Sequence, residues 1–170
     1  MLFSQNCDND RIDIHDKEPT TEHNNDNTYN PVAFHANRGS PLTVTDQTKE
    51  HIVVYDNVKL NVGLAYNSVK GKFECPEAGI YSFSWTSDVP QGKQFETSFI
   101  LKHKNSQLGT KITGNRASAI GVSDSVQSTK NVVVDMKKGD MAFIKTIRNA
   151  ADVLHGDVNS FSSFSGFKVL

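Results

Sequence analysis

The sequence predicts an all-β fold, either a sandwich or a jelly roll built from antiparallel strands. Apolar residues recur with a period of two along most of the chain after residue 30, and turn-forming residues bound each alternating run. No segment of ten or more residues carries an apolar stripe at helical spacing. Many short strands with regular turn signals between them are typical of these two architectures.

A clear strand covers residues 79–88, where Tyr81, Phe83 and Trp85 alternate with serine and threonine. Alternate side chains of a strand point to opposite faces, so this run predicts one apolar and one polar face. The same alternation occurs in three further runs. Strands are therefore predicted at 97–103, 131–136 and 141–147, with turns at 76–79, 90–92, 104–106 and 138–140.

The last ten residues, FSSFSGFKVL, predict a final strand. Phe164 and Gly166 share one face with Lys168, whereas Phe167 and Val169 share the other. Both faces are mostly apolar, so we expect this strand to be central in its sheet and buried on both sides. We also expect Gly166 to let a bulky ring approach the backbone closely.

Charge divides the chain into two parts. Residues 1–30 carry seven acidic side chains against the two basic ones of Arg11 and Lys17, and so have a net charge of −5. Because the whole chain has a net charge of −1, residues 31–170 carry +4. We predict an acidic, His-bearing, disordered tail over 1–30 and one globular domain over 31–170. A charge of +4 without a basic stripe falls short of what nucleic-acid binding requires.

The sequence lacks the patterns of a membrane span, of common catalytic motifs and of cysteine-based sites. No run of about 18 apolar residues could span a membrane, and no G-x-S-x-G, H-E-x-x-H or phosphate-binding glycine loop occurs. Two cysteines, Cys7 and Cys75, are too few for a disulfide framework or a thiolate zinc site. Cys75 precedes a proline in a predicted turn, where a structural role is favoured over a nucleophile. We interpret His35 and His103 as packed or interfacial residues, so no enzymatic activity is expected.

Four stretches together indicate a family. They are PVAFHA at 31–36, DNVKLNVGLAYNSVKGKFECPEAGIYSFSW at 56–85, KKGDMAF at 137–143 and FSSFSGF at 161–167. With these motifs in this order, residues 31–170 resemble the globular head domain of complement C1q, in the C1q and tumour necrosis factor superfamily. The resemblance implies a ten-stranded jelly roll of the C1q/tumour necrosis factor type that assembles as a compact homotrimer. It also implies that the termini meet at the base, that the variable loops lie at the apex and that the last strand lies near the threefold axis.

No Gly-X-Y repeat precedes the domain, so functions that depend on a collagen stalk are not expected. In this respect the chain resembles the stalkless, secreted C1q-domain proteins of bivalve haemolymph and extrapallial fluid. That resemblance implies extracellular localisation and leaves two hypotheses open. The first is a trimeric lectin of innate immunity that binds microbial or sialylated glycans, with calcium assisting. The second is a fluid protein that binds calcium and heavy metals in biomineralisation or metal transport.

Glycan recognition would fall to three segments that are predicted to be loops, at 87–96, 111–121 and 145–157. Their basic side chains could bind lipopolysaccharide or anionic sugars such as sialic acid, although an ordinary solvated surface has a similar composition. The predicted ligand-binding residues are Lys93, Lys111, Arg116, Arg148 and His155.

Metal binding would fall to two further regions. The resemblance implies a calcium ion near the trimer apex, where the loop 121–131 would supply Asp124 and Gln127 as oxygen ligands. One carboxylate per chain requires an ion shared on the threefold axis, and plain solvated loop residues are the alternative. In the acidic tail, imidazole and carboxylate groups could bind Zn²⁺ or Cu²⁺ loosely, or the tail could only solubilise the protein. The tail residues predicted for this role are His15, Asp16 and His23.

Overall fold

The computed structural model describes residues 30–156 and 162–169, and these residues form strands and no helix. The all-β prediction is therefore confirmed. Within this part of the chain, no helix is long and apolar enough to cross a membrane. The strands are β1 Ala33–Asn37, β2 Leu42–Thr43, β3 Asn57–Val62, β4 Tyr66–Asn67, β5 Lys72–Glu74, β6 Gly79–Val89, β7 Gln94–Lys102, β8 Thr110–Ser118, β9 Val126–Met136, β10 Met141–Ala151, β11 Val153–Leu154 and β12 Ser163–Lys168.

The strands form two antiparallel sheets of five strands each, packed face to face around one core. The first sheet has the strand order β3-β1-β12-β6-β9, and the second has the order β4-β5-β10-β7-β8. The short strands β2 and β11 pair only with each other. Neighbours that are distant in the chain, such as β1 and β12, are typical of a jelly roll, in which the chain crosses repeatedly between two sheets.

The last strand, β12, lies in the centre of the first sheet, as predicted. It pairs with β1 on one side and with β6 on the other. Its inward face brings Gly166 against two aromatic rings: a Cβ at this position would lie 2.4 Å from Cδ1 of Phe83 and 2.8 Å from Cε1 of Phe34. The expected close approach of a ring to the Gly166 backbone is therefore present.

The outward face of β12 differs from the prediction. Phe167 is 52% exposed and Val169 is 42% exposed, so the expectation of burial on both sides is wrong for a single chain. The reason is that the second sheet covers only the inward face of the first sheet. The outward face of β12 remains open to solvent in one protomer.

The space between the sheets is filled by aromatic rings. Phe34 stacks on Tyr66 with 4.6 Å between ring centroids, and it meets Phe164 edge-on at 4.9 Å. Phe73 meets Phe83 edge-on at 5.3 Å. All five side chains are buried, and each such aromatic contact adds about 0.5–1.5 kcal/mol beyond the burial of its area. This cluster fixes how the two sheets lie over each other.

Hydrogen bonds also join the two sheets directly. The indole Nε1 of Trp85 on β6 donates to Oγ1 of Thr97 on β7 at 2.9 Å. At the edge of the sandwich, Nδ2 of Asn115 on β8 donates to the carbonyl oxygen of Ser128 on β9, and Oγ of Ser128 donates to Oδ1 of Asn115. These contacts position β8 and β9, and hence the loop that connects them.

Asp140, in the turn between β9 and β10, ties together the neighbouring loops. Its buried carboxylate accepts hydrogen bonds from the N–H groups of Lys104 and Lys137, each at 3.0 Å, and from Nδ1 of His103 at 2.9 Å. Burial alone would raise the pKa of Asp140, but the three donors together hold that pKa below its ordinary value. Cys75 donates its N–H to the Asp140 carbonyl oxygen. Its thiol is buried and burial raises its pKa, which fits the structural role predicted for it.

Replacing Gly166 by alanine is expected to destabilise the protein by about 1–3 kcal/mol, because the new methyl group would overlap the rings of Phe83 and Phe34. Equilibrium urea unfolding measures the change. Gly39→Ala is the matched control: a Cβ there would meet Asp56 at 3.4 Å, an ordinary contact, so stability should change by less than about 1 kcal/mol. Equal unfolding midpoints for the two variants would contradict the packing described for β12.

Asp140→Asn is expected to cost about 1–3 kcal/mol near neutral pH, because an amide cannot accept all three hydrogen bonds. The folded pKa of Asp140 is depressed, so its carboxylate stabilises the fold above the ordinary pKa of about 3.9 and loses this effect as the pH falls towards the folded value. The difference from wild type should therefore shrink below about pH 5. Urea unfolding across this range measures it, with the exposed Asp124→Asn as the control. A difference that does not change with pH would exclude the carboxylate charge as its cause.

Candidate recognition end and outer apolar face

Most of the predicted ligand-binding residues gather at one end of the sandwich, which we call the upper end. It carries the β6–β7 turn at 90–93, the β8–β9 loop at 119–125 and the segment that follows β10. The opposite, lower end holds both ends of the described domain. There, Asn30 lies in a cavity with Glu77, and Lys168 near the end of the chain pairs with the same Glu77 at 2.7 Å.

Two loops form one unit at the upper end. Gly92 donates its N–H to the carbonyl oxygen of Ala119 at 3.0 Å, and Ala119 donates its N–H to the carbonyl oxygen of Lys93 at 2.8 Å. Gly92 has a φ of +73°, a left-handed conformation that glycine adopts without strain. The side chain of Lys93 is therefore presented to solvent on a turn whose backbone is fixed.

The expectation of a loop at 111–121 is wrong, because residues 110–118 form the edge strand β8, which pairs with β7. An edge strand is hydrogen-bonded to one neighbour and packs against the core with one face only. Most β8 residues are therefore exposed, and the apolar alternation in this strand is weak. Arg116 lies near the upper end of this strand, whereas Lys111 lies near its lower end. The structure therefore separates Lys111 from the other predicted ligand-binding residues.

The two arginines at the upper end differ in their contacts. Nε of Arg116 lies 3.2 Å from Oε1 of Glu96, and Nη2 of Arg116 donates to Oε1 of Gln94 at 3.2 Å. Arg148 is exposed and lies on β10. The predicted loop 145–157 is thus corrected in part: β10 extends to residue 151, with a register shift in its pairing to β7 after residue 146.

His155 is anchored to the upper end by a buried carboxylate. Its Nδ1 lies 2.5 Å from Oδ2 of Asp88, and its N–H donates to the Asp88 carbonyl oxygen at 2.8 Å. Asp88 is only 1% exposed, whereas the imidazole is partly exposed. The two residues are 67 positions apart, so no local spacing in the sequence indicates the pair. His155 therefore helps to hold the upper end together, and its Nδ1 is not free for a ligand.

The predicted calcium ligands Asp124 and Gln127 are both exposed at the upper end, and a calcium ion shared between three copies stays a prediction. Asp124 is exposed in the β8–β9 loop, where its Oδ1 accepts the Ser125 N–H at 2.7 Å. Gln127 is exposed on β9, opposite Asp88 on β6. Within residues 30–156 and 162–169, no group of three or more His, Cys, Asp or Glu side chains is arranged to hold a metal ion. The tail residues His15, Asp16 and His23 lie outside the described residues, so metal binding there stays a prediction.

The outward face of the first sheet carries exposed apolar side chains from several strands. Local alternation in the sequence indicates an apolar outward face only for β12. We call the outward face of the first sheet the outer apolar face. Val133 on β9 is 63% exposed, and Leu60 on β3 is 47% exposed. Exposed apolar side chains that lie on one face of a sheet are typical of association sites. One row across the sheet, from β3 to β9, consists of Val62, Ala33, Phe167, Ser82 and Val133.

Known proteins that resemble the chain share one domain type. The family model of the C1q domain matches residues 33–169. Complement C1q tumor necrosis factor-related protein 3 of Homo sapiens is 26% identical over 115 residues, and the Mus musculus protein is equally similar. This match covers 68% of the chain and 43% of each relative, so the chain spans less than half the length of these relatives.

Solved structures show the same fold at low sequence identity. The globular domain of zebrafish complement 1qA has a TM-score of 0.62 at 15% identity, and the match covers 82% of this chain and 98% of that one. Eiger TNF from S. frugiperda has a TM-score of 0.64 at 8% identity, covering 82% of this chain and 93% of that one. The shared architecture therefore extends over nearly all of the described residues.

Proposed function

The chain belongs to the C1q domain family, and on this premise we propose that it is a secreted recognition protein, a homotrimer that binds anionic glycans at its upper end. C1q domains fit a recognition or signalling role and are not enzymes. The glycans would be microbial or sialylated, lipopolysaccharide included. The observation that supports this finer proposal is the placement of exposed cations at the end of the sandwich that is remote from both ends of the domain.

The outer apolar face supports assembly of the protein. Val62, Phe167 and Val133 lie in one row of this face, and Leu60 extends it along β3. Burial of apolar surface contributes about 25 cal/mol per Å², and obligate interfaces commonly bury about 2,000 Å² or more. Three copies packed through this face would remove it from water. Because β12 is central in the sheet, the face is a rigid surface rather than a loose edge.

Lys93 and Arg148 are the cations at the upper end best suited to an anionic ligand. Both are exposed, and neither forms an ion pair within the part of the chain that the structure describes. Arg116 and His155, by contrast, are already paired with carboxylates. A guanidinium binds carboxylate or phosphate groups through two parallel hydrogen bonds. Three copies of such a site in one trimer would raise the avidity for a repetitive glycan surface.

Phe167→Glu is expected to convert the trimer into monomers, because a carboxylate in a desolvated apolar interface is strongly unfavourable. Sedimentation velocity measures the mass, and circular dichroism checks that the strands remain. Leu108→Glu is the matched control, since Leu108 is 82% exposed in the loop between β7 and β8 and does not belong to the outer apolar face. A wild-type monomer, or a trimer that survives Phe167→Glu, would contradict the proposed assembly.

The combined change Lys93→Glu and Arg148→Glu is expected to weaken binding to sialylated glycans or lipopolysaccharide by roughly tenfold or more, because each hydrogen bond to a charged group contributes about 1.5–3 kcal/mol. Binding to a glycan array measures the effect, with calcium and again with a chelator to test whether Asp124 contributes through a bound ion. The control is Lys70→Glu with Lys111→Glu, which makes the same charge change on exposed lysines elsewhere. Equal losses in both double variants would show that net charge, not the upper end, governs binding.

A further inference from the structure

Three adjacent cavities at the lower end join into one groove, which we call the lower groove. The first, of about 540 Å³, begins at Asn30, where the described domain starts. The second, of about 340 Å³, shares Gly63, Pro76 and Lys138 with the first. The third, of about 360 Å³, shares Lys104 and Lys138 with the second. The groove therefore runs from the point where the chain enters the domain to the loop that follows β7.

The far end of the lower groove is positively charged. Lys104, Lys137 and Lys138 line the third cavity and are exposed. None of the three forms an ion pair with a carboxylate of the described residues. The one carboxylate that lines this cavity belongs to Asp140, and its oxygens already accept two backbone N–H groups and the ring of His103. The three ammonium groups are thus left to attract an external anion.

The near part of the groove has little net charge. The carboxylate of Glu77 pairs with Nζ of Lys168 at 2.7 Å, and the exposed Glu74 lines the second cavity with Lys104 and Lys138. Positive charge therefore increases from Asn30 towards the far end. An acidic chain that enters at the near end would find its best electrostatic position at the far end.

We propose that the acidic segment 1–29 of this protein binds in the lower groove, with its carboxylates against Lys104, Lys137 and Lys138. The segment carries a net charge of −5 and continues directly from Asn30 at the near end of the groove. An extended chain spans about 3.3–3.6 Å per residue, so the segment 1–29 is long enough to reach the far end of the groove. Covalent attachment also gives the segment a local concentration in the mM range, which makes weak ion pairs sufficient.

This contact has a consequence for which anions the protein binds. Exposed lysines without an ion pair are scattered over the described residues, for example Lys70, Lys111 and Lys130, but Lys104, Lys137 and Lys138 line the lower groove together. Lys93 and Arg148 are the unpaired exposed cations of the upper end. The acidic segment fills the lower groove and competes there with any external polyanion. External polyanions are thereby directed to the upper end. The contact itself requires neither a glycan nor a trimer, so it holds or fails independently of the proposed function.

A nitroxide spin label on Cys7 tests the contact in the full-length protein. Cys75 is buried, so the label should attach to Cys7, and a Cys7→Ser protein should take up none. We expect the backbone amide signals of Lys104 and Gly139 to lose most of their intensity next to the label. Raising the ionic strength from about 0.01 M to about 1 M shortens the Debye length from about 30 Å to about 3 Å, so these signals should recover in salt.

Two triple variants separate the groove from general charge. Lys104→Gln with Lys137→Gln and Lys138→Gln should restore the signal of Gly139 at low salt. Lys70→Gln with Lys93→Gln and Lys130→Gln removes the same charge from exposed lysines elsewhere and should leave the signal quenched. The salt series on the unsubstituted protein decides the question if the groove variant does not fold.

Three results would overturn the proposal. One is quenching spread evenly over the domain, and another is quenching centred on the upper end, at Lys93 or Ile120. The third is quenching at the lower groove that persists in high salt or in the folded groove variant, which would show that charge pairing does not hold the segment there.

Discussion

The close contact between the backbone of β12 and the rings of Phe83 and Phe34 is the constraint on which the rest of the structure depends. A side chain at Gly166 would occupy the space of these rings, so glycine lets the last strand lie in the centre of the first sheet without displacing them. With β12 in place, Phe164 completes the aromatic core. Pairing of β12 with β1 then brings the two ends of the domain together at the lower end and leaves the upper end to loops.

The two ends of the sandwich both contain an aspartate–histidine pair, in different surroundings. Each has a buried aspartate paired with the Nδ1 atom of a more exposed histidine: Asp88 with His155 at the upper end, and Asp140 with His103 at the lower end. Asp140 also collects two backbone N–H groups and so closes a turn. In both places the buried carboxylate binds the histidine next to it. The cations that remain available for an external anion are therefore the lysines and arginines outside these two pairs.

Sequence patterns predicted the features that depend on neighbouring residues. Alternation around Tyr81 indicated β6, and the FSSFSGF motif indicated both the central strand and the role of Gly166. Edge strand β8 is not indicated by the sequence, because most of its residues are exposed and its apolar alternation is weak. Contacts between distant positions, such as His155 with Asp88, leave no local signal, and neither does an apolar face assembled from single residues of separate strands. The sequence therefore predicts the region in which the candidate site lies. Which of its residues are free and which are paired follows only from the structure.

The hydrogen bond between Trp85 and Thr97 has one more consequence. Trp85 is the single tryptophan of the sequence, is fully buried and joins a strand of each sheet. The fluorescence of its indole therefore reports whether the two sheets remain packed around it. Intrinsic fluorescence follows the opening of the sandwich without any added dye, and emission from this one site distinguishes loss of the core from changes confined to the loops.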